Sequence, residues 1–108
     1  MSIYAGEFNN QNEVESQFDS GSLNCYILFA SYELGDYCGD AFVLFMENGR
    51  LYEVNASHCS CYGLEGQWEP EETTFSVLQH RMQQGNLDRL MGGYGQAVLD
   101  ELTRLGFH

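Results

Sequence analysis

Residues 41–56, AFVLFMENGRLYEVNA, decide the fold of this chain. Asn48-Gly49 lies at their centre, between two runs that are rich in β-branched and aromatic residues. A two-residue type I′ turn needs a positive φ at both central positions, and Asn-Gly tolerates that conformation best. The stretch therefore predicts a β-hairpin with its turn at residues 48 and 49.

The turn also predicts the register of the hairpin, because residues at equal distances from it lie opposite each other. One side is apolar throughout and pairs Phe45 with Tyr52, Val43 with Val54 and Ala41 with Ala56. The other side pairs Met46 with Leu51, Leu44 with Glu53 and Phe42 with Asn55. We expect this second, mixed side to be half solvated.

The chain before the hairpin supplies a short strand, a short helix and an interior strand. Ile3-Tyr4 predicts an edge strand, and residues 13–18 predict a helical turn with a cap among residues 9–12. Residues 23–34 predict the interior strand, because both of their alternating sides are apolar. These sides carry Cys25, Ile27 and Phe29 on one and Tyr26, Leu28, Ala30 and Tyr32 on the other.

The chain after the hairpin predicts an acidic loop over 63–72 and then helices. Thr73 or Thr74 caps the first helix, a short turn follows Asn86, and the last helix runs to Leu105. Asp100 and Arg104 on that helix have the spacing of an ion pair, and Leu105 shares its apolar side. We expect one domain over 1–108, of the α+β class, in which a three-stranded antiparallel β-meander carries two or three helices packed on one face.

Charge excludes several function classes. The chain holds sixteen Asp and Glu against four Lys and Arg, a net charge of −12. Residues 1–72 carry thirteen of these acids and a single base, Arg50. Such a surface repels phosphate backbones, so direct nucleic-acid binding is disfavoured, whereas a basic protein surface would be attracted.

The sequence lacks the signals of a membrane or secreted protein. No apolar run reaches the roughly 18 residues that a membrane span needs, and the first residues lack the basic region of a signal peptide. We therefore expect no membrane partner and a cytoplasmic location, where cysteines stay reduced. Without an activated nucleophile the sequence predicts no enzyme and no catalytic residue: neighbouring His58 and Cys59 point apart on a strand, and nearby acids raise a thiol pKa.

The cysteines suggest a possible zinc site. If the hairpin ladder continues, Cys38 falls opposite Cys59 and Asp36 opposite Cys61. Zinc prefers thiolate and imidazole ligands, so Cys38, Cys59 and Cys61 with His58 or Asp36 form a candidate set. A Cys38–Cys59 disulfide and plain structural thiols are the alternatives, and the latter need no cofactor.

Two acidic loops form the candidate binding surface. If the hairpin pairing holds, they lie at the same end of the sheet, away from Asn48-Gly49. The predicted partner-binding residues are Glu33, Asp36, Asp40, Glu65, Trp68, Glu69, Glu71 and Glu72. Trp68 is either a lid on the core or an exposed anchor for the partner.

Residues 51–73, LYEVNASHCSCYGLEGQWEPEET, resemble a segment found in small uncharacterised proteins of bacteriophages and prophages. The resemblance implies a phage context and no catalytic residues. Small acidic phage proteins are similar, as a class, to inhibitors such as DNA mimics and anti-CRISPR proteins. The expected function is a non-enzymatic interaction module in the host cytoplasm, docking on a basic surface of a nucleic-acid-handling protein. A small zinc-binding protein is the alternative.

Overall fold

One mixed β-sheet of five strands organises the protein, in the order β1-β2-β3-β4-β5. The computed structural model describes residues 2–23, 25–34, 38–59 and 63–107. The strands are β1 (Ile3–Gly6), β2 (Tyr26–Leu34), β3 (Cys38–Glu47), β4 (Arg50–Cys59) and β5 (Glu71–Thr73). β1 runs parallel to β2, and every other neighbouring pair is antiparallel. The helices are α1 (Gln11–Phe18), α2 (Phe75–Gln83), α3 (Asn86–Leu90) and α4 (Gly95–Arg104).

The predicted hairpin is confirmed in turn and register. Asn48 and Gly49 both have positive φ, 54° and 77°. All six predicted pairs occur, and the ladder continues to Cys38 opposite Cys59. The predicted pairing of Asp36 with Cys61 lies outside the described residues. The α+β class and the β2-β3-β4 meander are confirmed as well, with β1 and β5 added at the two edges.

Three helices pack on one face of the sheet, as predicted, and the short helix α1 covers the opposite face, which was not predicted. Val14 and Phe18 of α1 pack on one face, together with Leu64 of the segment between β4 and β5. We call this the α1 face. Residues of α2, α3 and α4 pack on the opposite, three-helix face. Each face of the sheet carries apolar residues, which the helices bury against their own apolar side chains.

The mixed side of the hairpin is solvated in part, as predicted: Asn55 is exposed and Met46 and Glu53 are partly buried, whereas its other three residues are buried. Phe42, Leu44 and Leu51 are at most 2 % exposed, because the three-helix face covers them. The charge on this side is neutralised by α2, where Arg81 Nη1 donates to Glu53 Oε2 at 2.6 Å. An ion pair from a distant helix therefore lets Glu53 lie partly buried opposite Leu44.

A bulge in β2 breaks the strict alternation that the sequence predicts. The register with β3 shifts between Ile27 and Phe29. Leu28 and Phe29 consequently both belong to the three-helix core, whereas Ile27 and Ala30 belong to the α1 core. Beyond the bulge the sides are exchanged relative to the prediction.

The predicted N-caps of the first two long helices are confirmed. The predictions for the side chains of Arg104 and Leu105 are wrong. Asn10 and Thr74 cap α1 and α2 through their side chains. Arg104 pairs with Glu101 rather than Asp100, whose carboxylate accepts from Gln96. Leu105 is 38 % exposed, because α4 ends at Arg104. Within the described ranges, every helix is too short or too polar to cross a membrane.

Candidate functional site

Four carboxylates gather at the end of the sheet remote from the hairpin turn. Glu33 lies directly opposite Asp40 on β2 and β3. Glu7 follows β1, and its backbone N–H donates to the Tyr32 carbonyl at 2.8 Å. Burial, and then the charges of Glu65 and Glu7, raise the pKa of Tyr32. We call Glu7, Glu33, Asp40 and Glu65 the acidic end.

Three residues of the predicted surface lie towards the other end. Glu71 and Glu72 are strand residues of β5, not loop residues, and pair with Glu53 and Tyr52 near the hairpin turn. Glu72 also forms an ion pair with Arg50 at 3.6 Å. The chain after Gly63 runs back along the α1 face before it joins the sheet edge, which carries Glu69 towards the turn as well. Asp36 lies outside the described residues.

Trp68 acts as a lid on the α1 face. Its ring stacks on Phe45 with centroids 5.5 Å apart, and its edge meets Phe18 at 5.1 Å. It is half-buried and packs against the core between the two ends of the sheet. The packing of Trp68 favours the lid over the exposed anchor. Trp68 also fixes the segment that carries Glu65 to the sheet.

The acidic end keeps most of its charge, because three of the four arginines are engaged elsewhere and only Arg89 lies beside Glu33 and Asp40. Three of the four form ion pairs: Arg50 with Glu72, Arg81 with Glu53, and Arg104 with Glu101. The hydrogen bond from Arg104 is the main cause that lowers the pKa of Glu101 to about 2. Within the described part of the chain, no ion pair forms at the acidic end.

A cavity of about 320 Å³ opens at the acidic end, on the three-helix face. Its walls are β2, β3 and α3, and its lining residues are Ser31, Glu33, Asp40, Ala41, Phe42, Asn86 and Arg89. Sequence analysis missed Ser31, Asn86 and Arg89. Their only signal was polar character, and the bulge in β2 that turns Ser31 to this side depends on tertiary pairing.

The structure brings together two of the proposed zinc ligands and separates a third. Cys38 and Cys59 face each other across β3 and β4. His58 points to the α1 face, where its ring meets Tyr32 at 6.2 Å and its Nδ1 is buried without a hydrogen-bond partner. His58 therefore does not join these thiols, since β4 stays regular through Cys59.

Zinc binding stays a prediction. The other candidate ligands, Asp36 and Cys61, lie outside the described residues. Among those that are described, no cluster of three or more His, Cys, Asp or Glu side chains is placed to hold a metal ion.

Cys25 is expected to alkylate more slowly than the exposed Cys38. Burial, and then the charges of Glu47 and Glu15, raise its pKa from 9.0 to about 11. The thiolate is the reacting form, so at pH 8 the folded protein holds roughly a hundredth of the Cys25 thiolate of the unfolded chain. Residue-resolved mass spectrometry of iodoacetamide labelling measures this, with exposed Cys38 as the control. Equal rates at the two residues would contradict the expectation, and raising the pH towards 11 should narrow the difference.

Comparison with known proteins found no family model, no curated protein and no solved structure that matches this chain.

Proposed function

We propose that this chain is a non-enzymatic protein-interaction module that docks through its acidic end on a basic surface of another protein. The observation that carries the proposal is the gathering of Glu7, Glu33, Asp40 and Glu65 at one end of the sheet without an arginine paired to any of them. Carboxylates used for stability are paired within the fold, as Glu53 is with Arg81. The acidic end lacks such partners and offers its charge outward.

The net charge of −12 supports this choice of partner. An unneutralised acidic surface raises the rate of encounter with a basic one and opposes contact with nucleic acid itself. A basic surface of this kind belongs to proteins that handle nucleic acid. Occupying it would exclude the nucleic acid, so we propose that the module is an inhibitor of the DNA-mimic or anti-CRISPR type. The resemblance of residues 51–73 to a segment of phage proteins, if it holds, would agree with that role.

The proposal is tested by a variant that neutralises only the acidic end. E7Q/E33Q/D40N/E65Q removes four negative charges from one place. The matched control, D19N/E69Q/E71Q/D100N, removes four exposed charges that lie elsewhere on the molecule. Both variants and the wild type, immobilised, are exposed to a bacterial lysate at low salt, and bound proteins are quantified by mass spectrometry.

We expect a nucleic-acid-handling protein to be recovered by the wild type and the control and lost with the acidic-end variant. Raising the salt to 0.5 M should release it, because exposed charges are screened at that ionic strength. The purified partner should then bind DNA or RNA less well in the presence of the wild type. Equal recovery by the two variants, or a partner that salt does not release, would reject docking through the acidic end.

A further inference from the structure

The cavity at the acidic end has an unsatisfied polar group at its base. Ser31 lies opposite Phe42 and is 4 % exposed. Its side chain therefore points to the three-helix face, into the cavity that both residues line. The hydroxyl makes no hydrogen bond within the described part of the chain. The hydroxyl lines the cavity and has no partner there, so a guest that donates a hydrogen bond to its oxygen would gain that contact.

Two carboxylates stand beside this hydroxyl at the mouth of the cavity. Glu33 and Asp40 are directly opposed residues of an antiparallel pair. The Cβ atoms of such a pair lie roughly 4.5–5.5 Å apart, and like charges at that spacing repel each other. A cation held between the two side chains would remove the repulsion, and both carboxylates could accept hydrogen bonds from it.

The opposite wall of the cavity limits the charge of the guest. Asn86 and Arg89 of α3 line it, and Arg89 forms no ion pair within the described ranges. Among the described lining residues, two carboxylates and one guanidinium leave a single net negative charge. One monovalent cation neutralises that charge, whereas Arg89 would oppose a divalent metal ion, and no third acidic or imidazole side chain is among the described lining residues.

We infer that the cavity binds the side chain of one arginine of the partner protein. The inference rests on the proposed function and names the contact at its centre. A guanidinium is planar, carries five N–H donors and sheds water more readily than an ammonium. The cavity lining offers acceptor oxygens in Glu33, Asp40, Ser31 and the Asn86 amide. Ala41 and Phe42 supply an apolar wall for the aliphatic stem.

The test uses the full chain, labelled with ¹⁵N, and N-acetyl-arginine amide as the probe. We expect saturable shifts at the backbone amides of Ser31, Asp40 and Arg89, with a Kd of about 1 mM, the scale for a ligand of this size. E33Q/D40N should weaken binding by at least about tenfold, because two charged hydrogen bonds are lost. S31A should weaken it about threefold. The control D19N/E69Q removes the same charge elsewhere and should bind like the wild type.

Three further measurements test which chemical group the cavity binds. N-acetyl-lysine amide should bind several-fold more weakly than the arginine probe. Free arginine should also bind more weakly, because its α-carboxylate meets the acidic end, and tighter binding of free arginine would indicate a small-molecule site and overturn the inference. Equal binding of the lysine probe, or displacement of the arginine probe by 1 mM Mg²⁺, would overturn it too.

The two proposals fail separately. If the arginine probe does not bind but salt-sensitive capture of a partner persists, the arginine pocket is rejected and docking stands. If the probe binds at Ser31 and Asp40 but the acidic-end variant captures the same proteins as its control, docking is rejected and the pocket stands.

Discussion

Leu44→Ala is expected to lower the free energy of unfolding by about 3 kcal/mol. Leu44 is fully buried on the three-helix face, where it lies opposite Glu53. Truncating a buried leucine removes its transfer free energy and leaves a cavity, at a typical cost of about 2–5 kcal/mol. Urea unfolding followed by the fluorescence of Trp68, the only tryptophan, measures the change.

Leu105→Ala is the matched control for this truncation. Leu105 is 38 % exposed and lies just beyond α4, so its truncation should cost less than about 1 kcal/mol. The comparison tests whether Leu44 is buried on the mixed side of the hairpin. A solvated Leu44 would make Leu44→Ala as mild as Leu105→Ala, and similar losses for the two variants would therefore contradict the buried three-helix face.

The hairpin was predictable because its signal is local. Asn48-Gly49 defines the turn chemistry, and the register then follows by counting outward to Cys38 and Cys59. The caps Asn10 and Thr74 were predictable for the same reason, since each side chain bonds a backbone N–H three residues ahead. In each case every group that decides the conformation lies within a few residues of the others.

The failures share the opposite cause. On the mixed side, Phe42, Leu44 and Leu51 are covered by helices that follow much later in the chain, and Glu53 is paired with Arg81, 28 residues further on. The bulge at Leu28 arises from pairing with β3, and it decides that Ser31 lines the cavity. Strand propensity and hydrophobic alternation carry no information about a partner that distant, so they predicted neither the second covered face nor the pocket.

The sequence predicted the positions of only some of the acidic residues. Glu33 and Asp40 follow from the register of β2 and β3, which flank one short connection. The place of Glu65, Glu69, Glu71 and Glu72 depends instead on the path of the chain after Gly63. Gln67 bonds the backbone of Ser57 at one end, and β5 then joins β4 near the turn. The glutamates of this one acidic segment are therefore divided between the two ends of the sheet.

Gly6→Ala is expected to cost about 3 kcal/mol, because Gly6 ends β1 where no side chain fits. Its φ is +65°, and a Cβ there would lie 2.2 Å from the carbonyl oxygen of Tyr32. That oxygen also accepts the hydrogen bond from the Glu7 N–H. The left-handed conformation costs a non-glycine residue roughly 1–2 kcal/mol, and moving the carbonyl loses about one further hydrogen bond.

Gly21→Ala isolates the clash from the backbone conformation. Gly21 has a similar φ, +75°, but a Cβ there meets nothing within 4 Å. Its substitution should cost only about 1 kcal/mol, so the difference between the two variants, about 2 kcal/mol by urea unfolding, reports the contact with Tyr32. Equal losses would mean that β1 is not held against β2 at this point. Glu7 would then leave the acidic end, and the charge proposed to meet the partner would shrink to Glu33, Asp40 and Glu65.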